Sequence, residues 1–252
     1  MSTTLSASSV NTYEACHLQW YFTYVEMREE PFNEPRSTGI KVHDMVESIL
    51  KEDGVEHLDP GNHPDPVIND LVDLFRTEVL PTYEKAVLVE AAFELDVEGV
   101  TYTGFIDSVD VRVHPTEVEG PEGEVKVFTT WPLTVLRDLK TTKNRPRPGK
   151  YRFNNIGYWL GARELGFTPD RIVLDYLVRT KSAYYWPEEQ EVPDDDEIDI
   201  WASTVIQAHR DIEEGDYEAT GVGTYVCNYC PFKDICGPYE RYQDLTSPIR
   251  KE

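Results

Sequence analysis

The sequence predicts a mixed α/β chain, α+β in the order of its elements, with helices flanking one central sheet. Three observations carry this. Helical patterns fill about residues 1–85, strands with one intervening helix about 86–190, and a helix with a cysteine cluster about 194–240. Five Trp, 15 Tyr and 9 Phe supply bulk for a core. No internal repeat and no clear linker divides the 252 residues, so a single domain over 1–252 is expected.

Each element has a local reason. Ser6–Val25 reads as a helix capped by Ser6 or Ser8, with Val10, Tyr13, Trp20 and Tyr24 at helical spacing and Cys16 inside it. After Pro31 and Pro35, Ser37–Lys51 is a second helix, carrying His43. A proline-rich loop, Asp59–Pro66, leads to a third at Val67–Tyr83. Ala86–Val97 is an apolar, β-branched strand ending at the Gly99 turn. Thr101–Val113 alternates, with Phe105, Asp107, Val109, Val111 and Val113 on one face. Glu117–Glu124 is an acidic hairpin loop. Val125–Thr130 and Leu133–Thr142 are strands interrupted by Pro132. A helix at Gly149–Leu165, strands at Ile172–Arg179 and Ala183–Trp186, a helix at Asp194–Gly215 and a loop at Gly221–Cys236 complete the chain.

Composition narrows the class. No apolar run reaches the roughly 18 residues that span a bilayer, and no leader pattern opens the chain, so a cytoplasmic protein without membrane contact is expected. Net charge is −23, with acids spread throughout and Lys scarcer than Arg. Such a field repels nucleic acid unless salt screens it, as molar salt does over about 3 Å. A halophilic source is the expectation. Against that background, Lys140, Lys143, Arg145, Arg147, Lys150 and Arg152 form a run without an acid, suited to a phosphate backbone.

That run begins at the chemically pointed strand. Asp138 and Lys140, two apart, share a face, and Asp107 interrupts an otherwise apolar face thirty-one residues earlier. Two strand acids and a lysine suit a site that holds a divalent metal and hydrolyses phosphodiesters. Glu90 is a weaker metal candidate, and Asp110, on the face opposite Asp107, is expected to be solvated. His17, His57, His63, His114 and His209 show no partner pattern and are expected at the surface. Trp131 and Trp159 are expected to pack in the core rather than stack on bases. Cys227, Cys230 and Cys236, with Cys16 from the other end, suit four-thiolate zinc or an iron–sulfur cluster. Either would tie the chain's ends together.

Taken in order, these residues resemble the RecB-like branch of the PD-(D/E)XK nucleases. The similarity is greatest to four-cysteine members: CRISPR-associated Cas-four-type exonucleases and the nuclease domain of AddB-type helicase–nucleases. Leu5–Ser8 with Cys16 resembles their N-terminal cysteine helix, and Gly39–His43 their histidine motif. Gly104–Asp107 resembles their first acid motif, Asp138-Leu139-Lys140 their (D/E)xK, and the C-terminal cysteines their triplet. Asn154–Tyr158 stands where they carry QxxxY, with Asn in place of Gln. The gap from Asp107 to Asp138 is long and implies an insertion over Glu117–Pro132.

The resemblance implies a restriction-endonuclease-like mixed sheet and a 4Fe–4S cluster on Cys16, Cys227, Cys230 and Cys236, joining the N-terminal helix to the C-terminal loop. It implies Mg²⁺ or Mn²⁺ on Asp107, Asp138, the Leu139 carbonyl and His43. Lys140 would orient water or stabilise developing charge, while Asn154, Tyr158 and the Lys143–Arg152 run hold DNA. The implied activity is a metal-dependent DNA exonuclease acting on single-stranded ends, in recombination and repair, CRISPR adaptation or viral DNA processing. No GxxxxGK[ST] motif is present, so unwinding would fall to a helicase or CRISPR adaptation partner. The other reading is a non-catalytic DNA-binding or assembly subunit with an iron–sulfur or zinc staple.

Overall fold

The computed structural model describes residues 3–31, 33–51, 63–112, 115–119, 125–129 and 132–246. Its chain forms two compact units: one of Glu34–Leu95 with Gly104–Ile198, the other of Met1–Asn33, Asp96–Thr103 and Asp199–Glu252.

The first unit holds most of the sheet. Strands β2 (Ala86–Val97) and β3 (Val100–Arg112) pair with each other, and β3 pairs antiparallel with β6 (Leu133–Thr142). β6 pairs parallel with β7 (Arg171–Val178), and β7 antiparallel with β8 (Tyr184–Gln190). A parallel pair needs a crossover, which helix α5 (Arg152–Glu164) supplies. Strands β4 (Pro115–Glu119) and β5 (Val125–Thr129) form a separate antiparallel ribbon within the β3–β6 connection. The ribbon falls in the stretch where an insertion is expected, and it begins as strand at Pro115–Glu119 where a loop is expected from Glu117. β8 runs on through Pro187 because it ends the strand order, where a missing N–H leaves no ladder partner unmet.

Helices α3 (Glu34–Lys51) and α4 (Pro66–Leu74) cover this sheet. Val42, Val46, Ile49, Leu71 and Phe75 pack with Leu139 and Leu177 of the strands. The third helix was expected to reach Tyr83, but it widens into a π turn at Phe75–Val79 and tightens over Leu80–Thr82, where Pro81 cannot donate to a regular turn.

Asp110 corrects its expected exposure. It is fully buried, because its face of β3, shared with Ile106 and Ser108, is the covered one, while Phe105 on the other face is exposed. Its carboxylate accepts from the backbone N–H groups of Glu84 and Lys85 and from Arg112 Nε at 3.0 Å. Arg137, equally buried, donates twice to Asp175 at 2.8 and 2.9 Å and reaches Thr82. Its guanidinium lies 3.9 Å over the Tyr83 ring. Trp159 is core, as expected, with Nε1 bonded to the Pro169 carbonyl. His57, His114 and Trp131 lie outside the described residues. His63 has a partner, accepting from the Asp65 N–H through Nδ1.

In the second unit, β1 (Leu5–Ser6) pairs parallel with Tyr102 and Thr103. Ser6 and Ser9 form a reciprocal cap on α1 (Ala7–Ala15). The expected single helix then breaks at Cys16, whose backbone is extended, before α2 (His17–Trp20) and a π turn at Tyr21–Val25. Helix α6 (Asp195–Glu213) sends Trp201 against Tyr102 and buries Val205, Ala208 and Ile212. The expected C-terminal loop contains a short helix, α7 (Val226–Tyr229), and is followed by α8 (Gly237–Thr246), which was not expected. His17 and His209 depart from free surface positions. His17 stacks on Tyr13 and lies 3.2 Å from Asp216, and His209 is 4.0 Å from Glu213.

Candidate active site

The site is built where β3 and β6 part. Their ladder runs from Arg112–Leu133 to Ser108–Arg137. One step further, the Leu139 N–H is taken at 2.7 Å by the Asp107 carboxylate. Asp107 therefore occupies the mouth of the opening between the two strands.

Asp138 stands beside it and is buried. Its Oδ1 accepts from Lys140 Nζ at 2.6 Å, while the buried Oδ2 receives no N–H and the carboxyl group meets that of Asp107. Burial, opposed by Lys140 and reinforced by Asp107, pushes the Asp138 carboxyl up to about 7. For Lys140 burial disfavours charge, but Asp138 and Asp107 outweigh it and hold the ammonium protonated. Tyr158 of α5 faces the pair; burial and then Asp138 push its hydroxyl up to about 12, so it remains a neutral donor.

His43 arrives from α3 for a steric reason. Gly39, one turn earlier on the same face, lies so close to β6 that a Cβ there would sit 3.0 Å from Thr141 Oγ1. The close approach brings His43 Nδ1 to 3.6 Å from Asp107 Oδ2 and into a backbone hydrogen bond with Leu139. Burial lowers its pKa despite Asp107, which keeps the imidazole neutral and able to ligate.

Glu90 was underweighted in the sequence. With His43 and Asp107 it brings three ligand atoms within 4.8 Å of one another. Its backbone adopts φ 48° inside β2, a left-handed strain that non-glycine residues seldom hold without a purpose. Burial, then Asp107 and Glu47, push its carboxyl up to about 7. The strain was invisible in the sequence, although the acid's place in an apolar strand was a usable signal.

These groups fit a hard divalent cation. They gather carboxylates raised by burial and then by one another, and a neutral imidazole, which a cation relieves. Asp107 links the His43–Glu90 group to Asp138, whose other oxygen holds Lys140. Leu139 lines the same pocket.

The expected DNA-contacting residues divide. Arg152 is bound to Glu197 and to the Glu191 carbonyl, and Lys143 pairs with Glu34 at 3.3 Å. Arg145 and Lys150 instead lie over aromatic rings, and Arg147 is exposed. Asn154 is half-buried on α5, one turn before Tyr158.

In the other unit, Cys16, Cys227, Cys230 and Cys236 line one pocket with Phe22, Phe232 and Tyr239, and none is in a disulfide. The helix break at Cys16 and the tight approach of Gly221, whose added Cβ would meet Cys16 Cβ at 3.1 Å, help shape it. Burial pushes the Cys227 and Cys230 thiols up. Among the described residues only the His43 group brings three ligand atoms within 4.8 Å, so no three thiols do.

A model of the PD-(D/E)XK nuclease superfamily matches residues 4–237. A crystal structure of a candidate exonuclease from Eubacterium rectale superposes with a TM-score of 0.55 at 12% identity, covering 97% of this chain and 93% of that one. That likeness is one of fold. No curated protein matches the chain. With the family model covering all of β1 to Cys236, and the acids and lysine gathered at one strand opening, the chain belongs to the PD-(D/E)XK nuclease superfamily.

Proposed function

We propose that the protein is a divalent-metal-dependent DNA exonuclease acting on single-stranded ends. The observation that carries this reading is the Asp138 carboxylate: one oxygen on Lys140, the other buried and receiving no N–H, beside Asp107.

Asp107, Asp138, His43 and Glu90 would hold Mg²⁺ or Mn²⁺, with the Leu139 carbonyl as a further donor. When bound, the ion would make water more acidic and offset charge on the phosphate. Lys140, held by Asp138, would direct its ammonium to the attacking water or to the phosphate oxygens. Tyr158, a neutral phenol, would donate to a backbone phosphate, with Asn154 one turn away. The leaving alkoxide would take its proton from solvent water.

The four thiols are proposed to hold an iron–sulfur cluster, 4Fe–4S by family resemblance. That all four line one pocket supports a shared metal group. Its role would be to fasten Cys16 to the C-terminal triplet. Unwinding of duplex, and the choice of pathway, would come from a partner motor or adaptation protein.

Digestion of end-labelled single- and double-stranded DNA with Mn²⁺ or Mg²⁺, at low and high salt, tests this. Metal-dependent shortening from an end, lost in Lys140→Ala, is expected. A metal-loaded protein that degrades neither substrate overturns the reading.

A further inference from the structure

We infer that Tyr151, Tyr176 and Trp186, with Arg145 and Lys150, form a stacking platform that selects unpaired bases and leads a single strand to Lys140. The inference rests on the nuclease reading for its location but not for its test.

Strand register builds the platform. Lys140 of β6 is the register partner of Tyr176 on β7, and Tyr176 is the partner of Trp186 on β8. Side chains at paired positions share a face, so these three form one row across the sheet. Strands lie about 4.8 Å apart, so Trp186 is roughly 10 Å from the lysine strand. Tyr176 is fully buried and stacks under Trp186, with ring centroids 5.1 Å apart and 21° between planes. Above Trp186, the Arg145 guanidinium carbon lies 4.0 Å from the ring centroid.

Tyr151 closes the gap to the site. Its ring lies 6.3 Å from Tyr176, 4.7 Å from Lys150 Nζ and 5.4 Å from Lys140 Nζ. Its position is fixed by Glu188, a buried carboxylate that accepts from the Gly149 N–H at 2.8 Å and so pins the loop before α5. Gly149 turns that loop at φ 74°.

The chemistry matches single strands. In a chain of net charge −23, long-range attraction to DNA is not available, so affinity must come from local contacts. Arg145 offers a cationic plane on which a base can stack and N–H groups for a phosphate. The outer plane of the stack is Arg145's, backed by Trp186 and Tyr176; such a plane takes any base, which suits an enzyme without sequence preference. A duplex hides its base faces, so the platform engages only unpaired or frayed ends.

Binding of fluorescent oligo(dT) and of a matched blunt duplex, with chelator present to prevent cleavage, tests this across a salt series. Trp186→Ala is expected to weaken oligo(dT) binding about 5- to 100-fold. It should leave the slope of log K against log salt unchanged, with duplex binding little affected. Trp186→Phe should restore most of the affinity. Arg145→Gln, at an exposed site, should flatten the salt slope by about 0.7. Equal losses on single strand and duplex, or unchanged oligo(dT) affinity in both Trp186→Ala and Arg145→Gln, overturn the platform. Because no cleavage is needed, an inactive protein that binds as expected sinks only the nuclease reading. An active protein indifferent to both variants sinks only the platform.

Discussion

Arg137 and Asp138 are neighbours on β6, point to opposite faces and are both buried, yet their surroundings are arranged by opposite rules. Around Arg137 every charge is answered. Asp175 accepts its bidentate bonds and a third from Tyr185, and Asp110 is held by two backbone N–H groups and Arg112. Around Asp138 the acids outnumber what meets them. Asp107 and Asp138 crowd one lysine, Glu90 adds its charge to Asp107, and Glu90 is strained. A saturated network fixes a strand; an unsaturated one keeps binding capacity for a ligand. On this account the first cluster holds β6 in place so that the second can remain incomplete.

Several variants can break or sharpen that contrast. The largest effect is expected from Lys140→Ala or Asp138→Asn, which should lower DNA cleavage by about 10²–10³-fold or more in an end-labelled assay. Next is Arg137→Met, which leaves Asp175 buried without its partner and should cost about 3–5 kcal/mol in urea unfolding. If Arg137→Met is no less stable than the parent, the saturated network is not structural.

The pH dependence has a fixed sign. Asp138 and Glu90 rise from ordinary values of 3.8 and 4.5 to about 7 in the folded protein. Between those values the folded state holds protons that the unfolded chain has lost. These groups therefore make the metal-free protein less stable as pH rises from about 4 to 7. Asp138→Asn should melt higher than the parent at pH 8, and the difference should shrink toward pH 5. A divalent ion must displace the same protons, so its affinity should fall as pH drops below about 7.

The smallest effect concerns the support of Tyr158. Phe93 of β2 meets Tyr158 edge-on at 6.3 Å, and its ring fills the space that a Cβ on Gly161 would enter at 2.5 Å. Gly161→Ala should cost about 1–3 kcal/mol by overpacking. If Phe93 positions Tyr158, the same variant should raise KM for DNA more than it lowers kcat.

Asp107, Asp138 and Lys140 could be read from the sequence because charge in an apolar strand is costly and therefore conspicuous. Asp110 escapes the same alternation rule, which separates faces but does not say which of them is covered. Arg137 and Arg112, themselves inside strands, were the available hint of its partners. Glu90's strain and the tight Gly39 approach depend on how distant segments meet. So do the break at Cys16 and the pairing of Arg152 with Glu197; local spacing cannot report such meetings. The α/β order of elements needed only periodicity, whereas the π and 3₁₀ turns before Tyr83 depended on Pro81 and packing.

The most direct measurement is Mn²⁺-dependent cleavage of end-labelled single-stranded DNA by the parent, Asp138→Asn and Arg137→Met, with thermal melting of the same metal-free samples at pH 8. The account predicts a stable but inactive Asp138→Asn and a destabilised Arg137→Met that retains activity where it remains folded. An Asp138→Asn protein that cleaves like its parent, or a parent that cleaves nothing with any divalent ion, would contradict it.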